Sequence, residues 1–192
     1  MVCGWAGSLA GADGVNVIAG TGSMTYGRRA GAGVRVGGWG ELFGDEGSGY
    51  WIGIRALRAF SKMSDGRAER GPLHDVLSRD LALDADIDLI GLVLHQWQGA
   101  RQQIAALAPA VREAAISGDH RAQAILTDAA AELAGISALP ASYRVRKPRY
   151  APVIGAALYA AMLAGTPLDD AARHALPAIP AVLCTSLGRP PD

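Results

Sequence analysis

The sequence predicts an α/β fold in which a short antiparallel sheet precedes a set of helices. Residues 14–37 are dense in glycine and contain three β-type runs without a helical period. From about residue 48 onward, apolar residues recur at the spacing of one helix face. Half of the 192 residues are hydrophobic but only 6% are aromatic, so aliphatic side chains must fill most of the core.

The three predicted strands form a meander with glycine-rich turns. They cover residues 15–19, 23–29 and 34–36. The turns between them are Gly20-Thr21-Gly22 and the Ala-Gly-Ala-Gly run at 30–33. Because glycine adopts positive φ angles without steric cost, such turns let consecutive strands pair side by side.

The rest of the chain is predicted to be mostly helical. The first helix begins near Ser48, and the others cover residues 86–98, 100–117, 119–136 and 153–164. Pro109 should kink or split its helix, because proline removes a backbone donor and clashes with the preceding turn. Asp119 stands where the N-cap of the next helix is expected. Residues from Pro177 onward show no period and are predicted to be loose.

Charge balance and cysteine content argue against several classes of function. The chain carries 18 basic and 18 acidic residues, which disfavours nucleic-acid or membrane-surface partners. Its two cysteines, Cys3 and Cys184, form no Cys-x-x-Cys motif, and its four histidines are not paired at helical spacing, so no metal site is predicted. With no signal peptide and no apolar run long enough to span a bilayer, a reducing cytoplasm is expected.

The turn Gly20-Thr21-Gly22-Ser23 is a candidate phosphate-binding loop. Glycines let backbone N–H groups converge on an anion, and the Thr21 and Ser23 hydroxyls add donors. No lysine follows and the next element is a strand, so this is not a Walker A loop. From these residues alone, an ordinary hairpin turn and a nucleotide-binding turn both stay open.

A second glycine-rich segment, Gly37-Gly38-Trp39-Gly40 followed by Gly44-Asp45-Glu46-Gly47-Ser48, is a candidate sugar loop. An indole between glycines offers an apolar face beside open backbone, which suits the C–H face of a sugar ring. Carboxylates before a helix are favoured by its dipole, so Glu46 is interpreted as helix capping. For Asp45, capping and ligand contact both remain possible interpretations.

Together these segments resemble the BadF/BadG/BcrA/BcrD-type ATPases and, within them, the N-acetylglucosamine kinases. The runs GVNVIAGTGS, GGWG and GDEGSGYWIG, at residues 14–23, 37–40 and 44–53, carry the resemblance in that order. It covers roughly residues 6–136 and 151–164. The resemblance implies one ribonuclease H-like lobe of the actin, Hsp70 and sugar-kinase superfamily.

The resemblance also implies a reaction and a site. ATP with Mg²⁺ would transfer its γ-phosphoryl group to a hydroxyl of an amino sugar, while an aspartate takes the proton. ATP phosphate-binding positions would be Gly20, Thr21, Gly22 and Ser23. Sugar-contact positions would be Gly38, Trp39, Gly40 and Asp45. A homodimer is compatible with this resemblance.

Three departures from the family pattern lead us to expect a chain that is inactive alone. The first phosphate loop, beginning Asp-x-Gly-Gly-Thr, does not occur, so residues 1–13 would be the end of a missing N-terminal lobe. The position of the catalytic base falls near Gly4, where no carboxylate stands. Residues 14–165 would form the C-terminal lobe, with an internal deletion near 136–150, and 166–192 a loose tail.

Two other functions stay open at this point. Some members of the family are ATPase activators of dehydratases that share an iron–sulfur cluster between subunits. The spacing of Cys3 and Cys184 does not fit such a cluster, and the Gly-Gly-Trp-Gly loop favours the kinase. The other alternative is a non-catalytic remnant that binds sugar or nucleotide.

Overall fold

The computed structural model describes residues 1–136 and 147–176 and confirms the predicted α/β fold. Its strands are β1 (Gly14–Ala19), β2 (Ser23–Arg29) and β3 (Ala32–Gly37), and they form an antiparallel sheet in the order β1-β2-β3. Ala30 and Gly31 both have positive φ angles, 50° and 85°, as the tight turn between β2 and β3 requires.

Nine helices lie in the described part of the chain. They are α1 (Val2–Leu9), α2 (Gly49–Ser64), α3 (Pro72–Asp80), α4 (Asp88–Ile90), α5 (Arg101–Ala105), α6 (Ala108–Ile116), α7 (His120–Ile136), α8 (Pro152–Leu163) and α9 (Asp170–His174). Helices α1, α3 and α9 were not predicted from the sequence. As expected, Pro109 splits its helix, because α5 ends before it and α6 begins with it in the first turn.

The prediction of one regular α-helix over residues 86–98 is wrong. The short α4 continues into a π-helical turn over Gly91–Gln96, in which the N–H of Trp97 donates to the carbonyl of Leu92 at 2.9 Å. A glycine in the middle of the segment weakens regular helix. The apolar stripe predicted for this helix comprised Ile87, Ile90, Leu94 and Trp97. Of these only Trp97 packs against the core, together with Leu89, and the other three are exposed.

Two compact units divide the described residues. One contains residues 1–16, 25–35 and 147–176, and the other contains 17–24 and 36–136. Strand residues belong to both units.

The first unit depends on a close backbone approach between α1 and α8. A Cβ on Gly155 would collide with the carbonyl oxygen of Cys3 and with the backbone of Gly7. The carbonyl of Gly7 also accepts the N–H of Tyr150 at 2.9 Å. Only glycine at 155 lets these two helices come so near, because any side chain would push α8 away from α1.

The second unit has an apolar core formed by α2, α3, α6 and α7. Its largest fully buried side chains are Phe60, Met63, Leu73, Leu77 and Val111. Burying side chains of this size stabilises the fold by roughly 1.5–3 kcal/mol each. This core holds the N-terminus of α2 in place, and the candidate site is built on that end.

Asp119 caps two helices with one buried carboxylate. Oδ1 accepts the N–H groups of Arg121 and Ala122, each at 2.9 Å, at the start of α7. Oδ2 accepts the N–H of Leu73 at 2.8 Å, at the start of α3. The N-cap of α3 is Gly71, where a Cβ would lie 2.8 Å from Oδ2. The predicted N-cap at Asp119 is therefore confirmed, and it also caps a helix that the sequence did not reveal.

Stability is expected to fall in acid through Asp86. Its carboxylate lies 3.0 Å from Nε2 of His74 and 2.6 Å from Nη2 of Arg70. The hydrogen bond with His74 is the main cause that holds the pKa of Asp86 below its ordinary 3.8, against the opposing effect of burial. A carboxyl whose folded pKa is lowered contributes stability that is present above its unfolded pKa and is lost as the pH falls through the folded value.

The pH effect can be measured by urea unfolding of the unsubstituted protein and of Asp86→Asn at pH 6, 4 and 3. We expect the substitution to be destabilising at pH 6 and the difference to shrink as the pH falls below the ordinary carboxyl pKa of 3.8, since the stability from a lowered pKa is lost in that direction. A difference that stays constant across this range would contradict the assignment.

No helix in the described ranges is both long and apolar enough to cross a bilayer. Residues 137–146 and 177–192, which include most of the predicted deletion, most of the predicted tail and Cys184, lie outside the described residues. The predicted domain bounds at 13/14 and 165/166 stay predictions, although residues 170–174 of the predicted tail form α9.

Candidate functional site

The candidate phosphate turn joins β1 to β2 and is anchored on the N-terminus of α2. The carbonyl oxygens of Gly20 and Thr21 accept the N–H groups of Gly49 and Tyr50 at 2.7 and 3.2 Å. A Cβ on Gly49 would lie 3.1 Å from the Gly20 oxygen, so glycine permits this approach. Because the first amides of α2 are used in this way, they hold the turn in place.

The N–H groups of Thr21 and Gly22 in this turn are available for an external acceptor. The N–H groups of Thr21 and Gly22 donate to no acceptor within residues 1–136 and 147–176, and Thr21 is exposed. The space around Gly20 is open, since nothing lies within 4 Å of a Cβ placed there. Two free N–H groups in an exposed glycine turn form the kind of concavity that binds anions.

Asp45 connects the sugar loop to this turn. It has a positive φ of 55° and a side chain that is only 7% exposed. Its Oδ1 accepts the N–H of Ser23 at 3.4 Å, and its Oδ2 accepts a hydrogen bond from Nη2 of Arg101. Gly22 is in contact as well, because a Cβ there would lie 2.7 Å from Oδ2. The structure therefore brings predicted phosphate-binding and sugar-binding residues into direct contact.

Ser48, rather than Glu46, caps α2. The Ser48 hydroxyl accepts the N–H of Trp51 at 3.2 Å. The backbone carbonyl of Glu46 instead accepts the hydroxyl of Ser23 at 2.6 Å. The interpretation of Glu46 as the helix cap is thus wrong, because the helix begins after Ser48 and its first turn contains no acidic residue.

Glycines determine the backbone conformation of the Trp39 loop. Gly38 and Gly40 have φ angles of 71° and 92°, a region that other residues rarely adopt. A Cβ on Gly44 would lie 2.8 Å from the Cβ of Trp39, so the loop closes tightly on itself. The Trp39 side chain is 66% exposed. Most of the Trp39 side chain is therefore exposed, in the same loop that carries Asp45.

Arg101 is a site residue that the sequence analysis missed. It begins α5, and its guanidinium contacts Asp45, lies 3.4 Å from Oε2 of Glu41 and stands 5.9 Å from the centre of the Tyr50 ring. Nη2 would lie 3.0 Å from a Cβ on Gly22. Arg101 and Asp45 are 56 positions apart, so no local sequence pattern predicts that they pair.

The position predicted for the catalytic base carries no carboxylate. Gly4 lies in α1, whose sequence VCGWAGSL contains no carboxylate. The described residues contain no group of three or more His, Cys, Asp or Glu side chains placed to hold a metal ion. The roles predicted for Gly20–Ser23, Gly38–Gly40 and Asp45 stay predictions.

Gly22→Ala is expected to disrupt both halves of the site, whereas Gly20→Ala is not. A methyl group at 22 would lie 2.7 Å from Oδ2 of Asp45 and 3.0 Å from Arg101, so the ion pair must shift. We expect a loss of about 1–3 kcal/mol in the free energy of unfolding. The same change at Gly20 meets open space and should stay within about 0.5 kcal/mol. Chemical unfolding of the two variants checks this, and equal losses would contradict the geometry.

Comparison with known proteins supports a family assignment. A family model described as the BadF/BadG/BcrA/BcrD ATPase family matches residues 1–142. A curated N-acetylmuramic acid/N-acetylglucosamine kinase of Clostridium acetobutylicum is 42% identical over 129 residues, which cover 67% of this chain and 42% of that protein. A curated N-acetyl-D-glucosamine kinase of Dictyostelium discoideum is 41% identical over 118 residues, which cover 61% of this chain and 37% of that protein.

Solved structures show a similar fold. A proposed N-acetylglucosamine kinase from Chromobacterium violaceum matches with a TM-score of 0.62 and 31% identity, over 71% of this chain and 46% of that one. A second proposed N-acetylglucosamine kinase, from Porphyromonas gingivalis, matches with a TM-score of 0.53 and 19% identity, over 67% of this chain and 43% of that one. The matched region thus spans about two fifths of the length of the curated relatives.

Proposed function

Because the chain belongs to the BadF/BadG/BcrA/BcrD ATPase family, we propose that it serves in the ATP-dependent phosphorylation of N-acetylglucosamine or a related amino sugar. The names of the curated relatives support this choice of substrate. The observation that carries the proposal is the contact of Asp45, in the Trp39 loop, with Gly22 and Ser23 of the glycine turn. A kinase must hold phosphate and sugar side by side, and this contact brings the two candidate subsites together.

The turn Gly20–Ser23 is assigned to the phosphates of ATP. The N–H groups of Thr21 and Gly22 are free to donate, and the Thr21 side chain is exposed beside them. Hydrogen bonds to a charged acceptor contribute roughly 1.5–3 kcal/mol each. The anchoring of the turn on α2 keeps these donors in one orientation before the nucleotide binds, which reduces the entropy lost on binding.

The loop from Gly38 to Asp45 is assigned to the sugar. The exposed indole of Trp39 offers an apolar surface for the C–H face of a pyranose ring. The Asp45 carboxylate accepts hydrogen bonds from hydroxyl or amide groups of the ligand. An apolar face beside a charged acceptor is the combination that orients a sugar.

Mg²⁺ would be expected with ATP. The described residues contain no group of three or more His, Cys, Asp or Glu side chains placed to hold a metal ion, and no residue is assigned to it. The proton of the sugar hydroxyl also needs an acceptor, and α1 carries no carboxylate at or around Gly4. General-base catalysis contributes roughly 10²–10⁴ in rate. We therefore propose that residues 1–192 by themselves bind ligands without measurable turnover.

Calorimetry and an activity assay on the purified 192-residue chain test this proposal together. We expect binding of N-acetylglucosamine and of β,γ-imido-ATP, and no ADP release in a coupled assay with ATP, Mg²⁺ and the sugar. Glucose serves as the matched control ligand, since it lacks the acetamido group. Failure to bind either ligand would contradict the proposed function, and robust ADP release would contradict the proposed lack of turnover.

A further inference from the structure

We propose that Arg101 couples the two subsites by pairing with Asp45 in the free protein and with a phosphate group when nucleotide is bound. This inference rests on the proposed function, because it assigns the glycine turn to phosphate and Asp45 to the sugar. Arg101 is then a positioning residue whose guanidinium is shared by two anions. Its consequence is that each ligand strengthens the binding of the other.

The Asp45 carboxylate already occupies the position of an anion at the turn. It accepts the N–H of Ser23, touches Gly22 and is paired with Nη2 of Arg101. Its side chain is 7% exposed, so water screens it only weakly. A phosphate group that binds at the N–H groups of Thr21 and Gly22 therefore arrives beside a fixed negative charge and beside the Arg101 guanidinium that balances it.

The Arg101 guanidinium has unused N–H donors that can bind a phosphate group. An arginine carries five N–H donors in a planar fork. Nη2 serves Asp45, Nη1 lies 3.4 Å from Glu41, and the buried Nε has no partner among the described residues. The Arg101 side chain is still 39% exposed, which lets it reach an incoming ligand. Guanidinium and phosphate form bidentate pairs that compete well with a single contact to a carboxylate.

Breaking the Arg101–Asp45 pair links the two binding events. A nucleotide that takes Arg101 leaves the buried Asp45 carboxylate without its partner, which is unfavourable. A sugar hydroxyl that donates a hydrogen bond to the Asp45 carboxylate removes this penalty. The Arg101–Asp45 pair has to be broken only once. The free energy needed to break it lowers the affinity for the first ligand, and the second ligand binds more tightly. By thermodynamic reciprocity the two affinities rise by the same factor, for which we expect about ten-fold.

The test measures the affinity of the full 192-residue chain for N-acetylglucosamine by calorimetry, with and without saturating β,γ-imido-ATP. In the unsubstituted chain the nucleotide should raise the sugar affinity about ten-fold. In Arg101→Gln no pair has to be broken, so the sugar affinity should be the same with and without nucleotide. A merely structural role for Arg101 would weaken both affinities and leave their ratio unchanged.

Arg55→Gln is the matched control. Arg55 is 42% exposed, lies 3.9 Å from Asp128 and stacks on the ring of Trp51, so it resembles Arg101 in exposure and partners but lies outside the site. It should keep the ten-fold ratio. If Arg101→Gln does not fold because Asp45 is left as an unpaired charge, the double variant Asp45→Asn/Arg101→Gln removes both charges and should also show a ratio of about one.

The outcomes separate this inference from the proposed function. Binding of both ligands to the unsubstituted chain without any effect of one on the other would overturn the inference alone. A ratio that persists in Arg101→Gln or in the double variant would overturn it as well. Absence of any binding by the unsubstituted chain would overturn the proposed function and this inference with it.

Discussion

Replacing Asp119 with alanine is expected to lower the free energy of unfolding by about 3 kcal/mol, because one carboxylate caps both α3 and α7. Loss of an N-cap costs roughly 0.5–2 kcal/mol, and a buried N–H left without its charged partner costs roughly 1–3 kcal/mol. Here the N–H groups of Arg121 and Ala122 lose their acceptor at one helix and that of Leu73 loses its acceptor at the other. Urea unfolding at neutral pH measures the difference.

Two further variants make this prediction specific. Asp119→Asn keeps an oxygen for the start of α7 but presents an NH₂ group to the N–H of Leu73, so we expect about half of the loss. Asp128→Ala removes an aspartate of α7 whose side chain is 59% exposed, and its effect should stay within about 0.5 kcal/mol. Equal stabilities for Asp119→Ala and Asp128→Ala would show that the double cap does not matter.

Asp45→Asn is expected to weaken the binding of N-acetylglucosamine by about ten-fold or more. A charged acceptor contributes roughly 1.5–3 kcal/mol to a hydrogen bond with a ligand hydroxyl, and about 1.4 kcal/mol corresponds to ten-fold in affinity. Asparagine is chosen because it keeps the size of the side chain and tolerates the positive φ of 55° at this position. Stability should fall only by about 1 kcal/mol, because the 39% exposed Arg101 can be solvated by water.

Glu41→Gln is the matched control for Asp45→Asn. It removes the other carboxylate near Arg101, at 3.4 Å, from a side chain that is 35% exposed. We expect a change in sugar affinity of less than about two-fold, since an exposed pair contributes little. Calorimetric titration of both variants measures this, and an equal loss of affinity in the two would contradict a specific hydrogen bond between Asp45 and the sugar.

Most of the secondary structure could be predicted because it depends on local sequence. The three strands follow from β-type runs separated by glycines. The bounds of β2 are as predicted and β1 begins one residue earlier, whereas β3 spans Ala32–Gly37 instead of 34–36, so the second turn is shorter than predicted. Helix α7 was predicted from its N-cap, Asp119, and the break at Pro109 from the chemistry of proline. Helix α3 was missed although Pro72 in its first turn and Asp75 after it are favourable start signals.

The segment at 86–98 shows where a local pattern fails. An apolar stripe at helical spacing predicted one amphipathic helix, but the backbone instead widens into a π-turn after Gly91. Leu89 and Trp97 pack against the core, and Ile90 and Leu94 remain exposed. The π-turn changes which side chains face the core, so tertiary packing overrode the periodicity.

For this protein the sequence by itself determined the α/β class, the glycine turn, the Trp39 loop and the resemblance to one ATPase family, which the family match confirms. These features depend on residues that are close together in the chain. Only the tertiary structure decided that Arg101 reaches the site from α5, that Ser48 rather than Glu46 caps α2, and that the Asp45 carboxylate is already paired. Such contacts join residues up to 56 positions apart, and they form only because α2 packs closely against α5, where Gly53 lies against the backbone of Ile104.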